Sequence, residues 1–189
     1  MSQTFCANSV QNLSQFRMPA NFRGRPAWFV QLWWLVQATA FRWSPQFLYS
    51  WRRWLLRLFG AKVGEGVLIR PSVEVTYPWK VSIGNHSWIG DHVTLYSLGP
   101  IHIGNDAVIS QKSYICTGSH DFRSPSFEIF AEAVVIESKV WIASDVFVAP
   151  GARIGEGTVV SARSSVFGDL PANMICRGNP ALPVKKRIE

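Results

Sequence analysis

Between Val63 and Val166 an aliphatic residue opens a six-residue block fifteen times. The openers are Val63, Ile69, Val75, Ile83, Ile89, Leu95, Ile103, Ile109, Ile115, Ile136, Ile142, Val148, Ile154, Val160 and Val166. A period of six fits neither an α-helix nor an ordinary strand. It fits a solenoid in which each block is one short strand plus a corner. The opener is expected to point inward. The Gly that often follows it, as in IGNHSW, IGDHVT, IGNDAV and IGEGTV, is expected to supply the positive φ of the corner. The residue four after the opener should also face the crowded interior. Twelve of these fifteen are Ser, Thr, Ala or Val, namely 67, 73, 87, 93, 107, 113, 119, 140, 146, 152, 158 and 164. Trp79, Gly99 and Leu170 are the exceptions.

The interruptions are as informative as the register. Coils open at Val63, Ile83 and Ile103, a spacing of 20 where three hexads need 18. Val81-Ser82 and Ile101-His102 are therefore read as two-residue bulges, and 121–135 as a long loop leaving the third coil at the same corner. After Ile136 the register runs unbroken to Pro171. The predicted architecture is an all-β solenoid of about five coils over 63–171. Residues 172–189 read as a turn, Gly178-Asn179-Pro180, followed by a solvated tail with the basic cluster Lys185, Lys186 and Arg187.

Residues 1–62 form a separate unit. They hold eight basic side chains and no Asp or Glu, whereas the rest of the chain sums to −1. The pI of 9.7 thus belongs to this arm. After a polar stretch over 1–24, Pro26 suits a helix start, and Ala27 to Phe41 is strongly apolar. Ser44-Pro45 reads as a cap and first turn for a second helix over Gln46 to Phe59, ended by Gly60. Fifteen apolar-rich residues with Gln31 and Gln37 among them fall short of the ~20 needed to span a bilayer. Two readings of the arm remain open. It can cap the solenoid's exposed end, or residues 25–59 can touch a membrane surface, where Trp and Arg favour the headgroup zone. The three cysteines, Cys6, Cys116 and Cys176, are far apart and suit a reducing cytosol. With no secretory signal apparent, a cytoplasmic protein, with the arm at the inner face of the plasma membrane on the second reading, is expected. A nucleic-acid partner is not.

Among side chains that could do chemistry, His86, His92 and His102 are expected on the surface. His120 differs: it ends the third coil and begins the long loop as TGSHDF. A neutral imidazole there can take a proton from a hydroxyl. Cys116 reads as a packed small residue rather than a nucleophile. No GxSxG, Walker or GxGxxG motif is present. No acidic or Cys/His cluster points to a metal.

YPWKVSIG, TLYSLGPIHIG, ISQKSYICTGSHD, VWIASDVFVAPGARIGEGTVV and GNPA follow one another in an order that resembles the hexapeptide-repeat acyltransferases, whose fold is a left-handed parallel β-helix. The N-terminal segment FRGRPAWFVQLWWLVQATAFRWSPQFLYSWRRWLLRLFGAKVG is similar to the leader of the colanic acid biosynthesis acetyltransferases, relatives of the maltose, galactoside and nodulation acetyltransferases. The resemblance implies O-acetyl transfer from acetyl-CoA to a sugar hydroxyl of an exopolysaccharide or its precursor, by a homotrimer with sites between prisms and without a metal. It implies His120 as the catalytic base, with Tyr96, Ser97 and Asp121 as acceptor contacts. Trp141, Ser144, Ala162, Phe167, Gly168 and Lys185 would line the CoA site. Phe167-Gly168 stands where such relatives often carry Thr-Lys, which would leave the phosphate contact to Arg163 or the 185–187 cluster. Ser97 stands where they often carry Asn. The competing functions are N-acetylation of an amino-sugar nucleotide, acetylation of a xenobiotic, a silent trimeric scaffold, and a zinc carbonic anhydrase. The last needs an HxxxxH pair that this chain lacks.

Overall fold

The computed structural model describes residues 10–188; Cys6 lies outside them. Three parallel ladders form the faces of a prism, and each hexad contributes one rung. The openers stack on each other from coil to coil. The first face runs Val63, Ile83, Ile103, Ile136, Ile154. The second runs Ile69, Ile89, Ile109, Ile142, Val160, and the third Val75, Leu95, Ile115, Val148, Val166. None of the fifteen openers is more than 8% exposed. Each fully buried aliphatic contributes roughly 1.5–3 kcal/mol, so the aliphatic column is the source of the fold's stability.

Eleven of the twelve small positions are also buried. The hydroxyls among them serve corner backbone that the ladders leave unpaired. Ser87 Oγ donates to the Gly104 carbonyl at 2.7 Å and accepts from the Ala107 N–H at 3.0 Å. Ser113 Oγ donates to the Ala143 carbonyl at 2.8 Å. No buried side-chain polar atom among the described residues lacks a partner, as close packing demands.

Four expectations need correction. First, the Gly after the opener does not carry the positive φ. That conformation falls two residues later, at His86, His92, Asp106, Lys112, Lys139, Asp145 and Arg163, with φ of 54–63°. The Gly is required by close approach instead: a Cβ on Gly104 would lie 2.5 Å from the Ser138 nitrogen, and one on Gly84 2.6 Å from the Asn105 nitrogen. Gly104→Ala is accordingly expected to destabilise the fold by about 1–3 kcal/mol through overpacking, measured by urea denaturation. Second, Val81-Ser82 and Ile101-His102 are not bulges. They lengthen regular strands, Val81–Ile83 and Ile101–Ile103, which pair in register with each other and with Val134–Ile136. Third, the chain leaves the coil at Gly118, not Asp121. Ser119 is exposed, and Gly118–His120 pairs antiparallel with Ile129–Ala131. The extruded segment is a β-hairpin, and Thr117 takes the buried place. Fourth, the C-terminal segment stays on the prism. Met174–Gly178 extends the second face beside Val159–Val160, and Ala181–Lys186 folds back antiparallel on it. Leu170, bridged to Ile154, takes the first-face position of this partial sixth coil.

The arm caps the N-terminal end. Within the prism each opener's carbonyl accepts an N–H from the preceding coil, as Ile83 from Gly64 at 2.8 Å and Ile89 from Arg70 at 3.1 Å. The first coil has no predecessor. The arm supplies the missing donors through helix α1, Ala27–Val36, continued by a wide turn over Gln37–Phe41, and helix α2, Tyr49–Leu58. Arg57 Nε donates to the Val63 carbonyl at 2.8 Å, Arg52 Nε to Ile69 at 2.6 Å, and Trp33 Nε1 to Val75 at 2.7 Å. Arg53 adds a bond to the Val67 carbonyl at 2.8 Å. An end made of orphan acceptors calls for donors, which accounts for Arg and Trp here. The Ser44 cap is not formed: its hydroxyl donates to the Phe41 carbonyl and accepts from Arg52, and α2 begins at Tyr49. Among the described residues no helix is long and apolar enough to cross a membrane.

Candidate active site

His120 ends the first strand of the extruded hairpin. Its Nδ1 lies 2.8 Å from the Phe127 carbonyl oxygen. A carbonyl can only accept, so Nδ1 carries a proton, and in the neutral ring the lone pair is then on Nε2. The Phe127 ring lies nearly parallel to the imidazole, with centroids 4.3 Å apart and planes at 9°. Phe16 of the arm approaches the same ring, at 6.0 Å. The Asn12 N–H donates to the Pro125 carbonyl at 2.7 Å and pins the arm to the hairpin turn. Phe127 has a φ of 52°, which turns its carbonyl toward the imidazole. The imidazole therefore has a fixed plane and a fixed tautomer, as a proton acceptor needs.

His120 opens on a cavity of about 590 Å³ lined with Asp121, Arg123, Glu128, Phe130 and Glu132, among others. Asp121 is exposed, and its Oδ1 accepts the Arg123 N–H at 2.9 Å. Tyr96, Ile129 and Ala131 pack on the cluster of Val30, Tyr77 and Leu98 beneath the hairpin. Burial raises the pKa of Tyr96, with the Cys116 thiol adding to it. Burial likewise pushes Tyr114 up to about 12, helped by Cys116, Tyr96 and Glu74. Both phenols stay protonated near neutrality and can donate but not act as bases. Cys116 is buried, its thiol pKa is pushed up by burial, and its Sγ–H donates to the Gly118 carbonyl at 3.1 Å. It is a packing residue.

Ser97 does not line this cavity. Its side chain is fully buried, accepting from the Tyr77 N–H at 2.8 Å and donating to the Tyr77 carbonyl at 3.0 Å. The hydroxyl is used up within the coil and is no acceptor contact. His86, His92 and His102 are exposed, as expected. Among the described residues no group of three or more His, Cys, Asp or Glu could hold a metal.

The residues expected around CoA do not converge in one chain. Trp141 stands on the second face, 45% exposed, with Nε1 donating to Ser110 Oγ at 3.1 Å. Lys185 is exposed on the returning strand of that face. Ser144 and Ala162 stack at the corner between the second and third faces, where the Arg163 N–H donates to the Ser144 carbonyl at 3.0 Å. Phe167, 60% exposed, and Gly168 follow Val166 at the corner between the third and first faces. That is His120's corner, two coils further along. Phe127 and Phe16 were not among the expected site residues. Phe127 acts through its backbone, for which the sequence carries no signature beyond the turn FRSPSF.

No protein-family profile matches the chain. The chain is 62% identical over 180 residues to a protein of Escherichia coli K12 named as a colanic acid biosynthesis acetyltransferase, WcaF, covering 95% of this chain and 99% of that one. It is 31% identical over 139 residues to the galactoside O-acetyltransferase of Lactococcus lactis, covering 71% of this chain and 66% of that one. Among solved structures, the hexapeptide-repeat acetyltransferase VCA0836 of Vibrio cholerae in complex with acetyl-CoA superposes with a TM-score of 0.75 at 25% identity, covering 89% of this chain and 88% of that one. A coil built from hexads, an extruded hairpin bearing an oriented histidine and identity along almost the whole length agree, and the chain belongs to the left-handed β-helix, hexapeptide-repeat acetyltransferases, with the colanic acid biosynthesis acetyltransferases among its relatives.

Proposed function

We propose that this enzyme transfers the acetyl group of acetyl-CoA to a hydroxyl of a sugar in an exopolysaccharide or its precursor. The observation that carries the reading is the His120 imidazole, held with Nδ1–H on the Phe127 carbonyl and its neighbours forming a cavity of about 590 Å³. In the reaction Nε2 takes the acceptor's proton as the hydroxyl oxygen attacks the thioester carbon. The tetrahedral intermediate then collapses, the C–S bond breaks, and the CoA thiolate recovers the proton from the imidazolium. No acyl-enzyme is required. Tyr96 and Asp121 are the acceptor contacts on this reading, Asp121 from the cavity wall and Tyr96 from beneath the hairpin.

The working form is a homotrimer. A prism face is flat, and two prisms side by side make the long groove that pantetheine needs. Trp141 and Lys185 on the second face, and Ser144 and Ala162 at its edge, stand away from the His120 corner. A neighbouring copy can bring them to it, with Phe167 and Gly168 extending the wall above His120. Trp141→Ala is expected to raise KM for acetyl-CoA about tenfold while kcat changes little, the loss of one aromatic packing surface. Steady-state kinetics with sedimentation velocity on the same sample checks this; an unchanged KM with a dissociated trimer would make Trp141 an interface residue only.

The reading as a whole is tested by acetyl-CoA turnover against neutral sugars, amino-sugar nucleotides and drug hydroxyls, with the product identified by NMR. O-acetylated sugar supports it. Acetylation confined to amino groups makes the enzyme an N-acetyltransferase. Absence of acetyl-CoA binding makes the chain a scaffold.

A further inference from the structure

The outer surface of the arm carries large apolar side chains that the prism does not use. Trp28 is 67% exposed, Leu35 62%, Trp43 82%, Phe47 76% and Trp54 50%. Trp28, Leu32 and Leu35 share one face of α1 by their spacing. Trp51 stacks on Trp54, with centroids 5.0 Å apart, and its Nε1 donates to the Ala40 carbonyl at 2.9 Å, which joins α2 to the turn after α1. Large exposed apolar side chains thus occur on α1, on the connecting segment and on α2 alike. Monomeric proteins rarely leave such a patch bare without a use for it.

The charge around the patch selects its occupant. The first 62 residues contain eight basic side chains and no acidic one. Around the patch Arg25 and Arg57 are exposed and Arg53 is half-buried. The bonds of Arg53 and Arg57 go to carbonyls and a hydroxyl, which do not neutralise them, whereas Arg52 is fully buried and adds nothing to the surface charge. Among the described residues the arm's ion pair is Arg42 with Glu74 of the prism, at 3.5 Å. Exposed Trp and Phe over uncompensated Arg suit the headgroup layer of an anionic bilayer, where aromatic rings sit at the interface and each nearby cation strengthens binding.

We infer that the outer face of α1, the connecting turn and α2 docks the enzyme end-on to an anionic lipid surface, with the prism axis rising from the membrane. The docking itself stands on the cap's surface, while its avidity and its reach to an acceptor rest on the proposed trimer and acetyl-transfer reading. In a ring of parallel prisms every cap lies at the same end, so several patches engage one membrane together. The His120 hairpin, in the third coil, would stand on the order of 20 Å above the lipid: two coil rises of ~5 Å plus one helix diameter of ~10 Å. That is within reach of a sugar carried on a lipid.

The test is cosedimentation of the full chain with vesicles of phosphatidylcholine alone and with phosphatidylglycerol added, beside the quadruple substitution W28S/W43S/F47S/W54S. The four replaced side chains are exposed and none lines the His120 cavity, so circular dichroism and acetyl transfer to a soluble acceptor should match the parent. Binding of the parent to the anionic vesicles, weakened by high salt and lowered about tenfold or more by the four substitutions, supports the inference. Equal binding by both proteins, or no binding by either, overturns it. So does a larger assembly formed by the parent than by W28S/W43S/F47S/W54S in sedimentation velocity, because a second copy of the chain would then be the patch's occupant.

Discussion

Replacing His120 with alanine is expected to lower kcat for acetyl transfer by roughly 10²–10⁴-fold, the range supplied by a positioned general base. At about 1.4 kcal/mol per decade this is about 3–5 kcal/mol of transition-state stabilisation. The imidazole acts on the acceptor's proton and not on the donor, so KM for acetyl-CoA should hold. With Nδ1–H on the Phe127 carbonyl, the working species is the neutral ring with a lone pair on Nε2. Tyr96 and Tyr114 cannot replace the base, because burial holds both phenols protonated. Steady-state rates for both proteins decide it; undiminished acetylation by His120→Ala would remove His120 from the mechanism.

The prism was legible because its period is written in the chain: an inward aliphatic every sixth residue has one geometric solution, and all fifteen openers found it. The corners were less legible. A Gly required for positive φ and a Gly required because a neighbouring backbone lies 2.5 Å from its absent Cβ look alike in sequence. The positive φ went to residues such as His86 and Asp106, whose side chains point to solvent and so leave no pattern. At the site, His120 could be picked out because a titratable side chain stood beside a break in the register. Its partner could not, because the Phe127 carbonyl is a backbone group that any residue would supply. Ser97 was expected at the site only through the resemblance, at a place where relatives often carry Asn, and its hydroxyl closes on Tyr77 inside the coil. The C-terminal segment failed because its two strands lack the hexad: one extends a face and the other returns antiparallel, an alternation too short to stand out.

The arm's charge also had a cause the sequence concealed, and Arg52 is where it can be measured. Arg52 is fully buried, and burial lowers its pKa, partly offset by the nearby Tyr49. Its guanidinium remains charged, as arginine does in proteins. It is held by the Ile69 carbonyl at 2.6 Å, Ser44 Oγ at 2.8 Å, the Pro45 carbonyl at 2.9 Å and the Gln46 carbonyl at 2.5 Å. Its Cζ lies 5.0 Å from the Tyr49 ring centroid. One side chain therefore satisfies an orphan acceptor of the first coil and ties down the turn between the helices. Arg52→Met keeps much of the volume and removes every donor, leaving three carbonyls and a hydroxyl to be desolvated without partners. The expected loss is about 3–5 kcal/mol in chemical denaturation. Lys139→Met, at a 65% exposed side chain paired with Glu156 at 2.7 Å, should leave the denaturation midpoint nearly unchanged, because solvent screens such a pair. Hydrogen exchange should locate the Arg52 effect in α1, α2 and the first coil, with the coils after Ile136 retaining their protection, because each coil contacts only its neighbours. Equal losses from the two substitutions would mean that the arm rests on the prism by apolar packing and that the arginines were not selected to close its end.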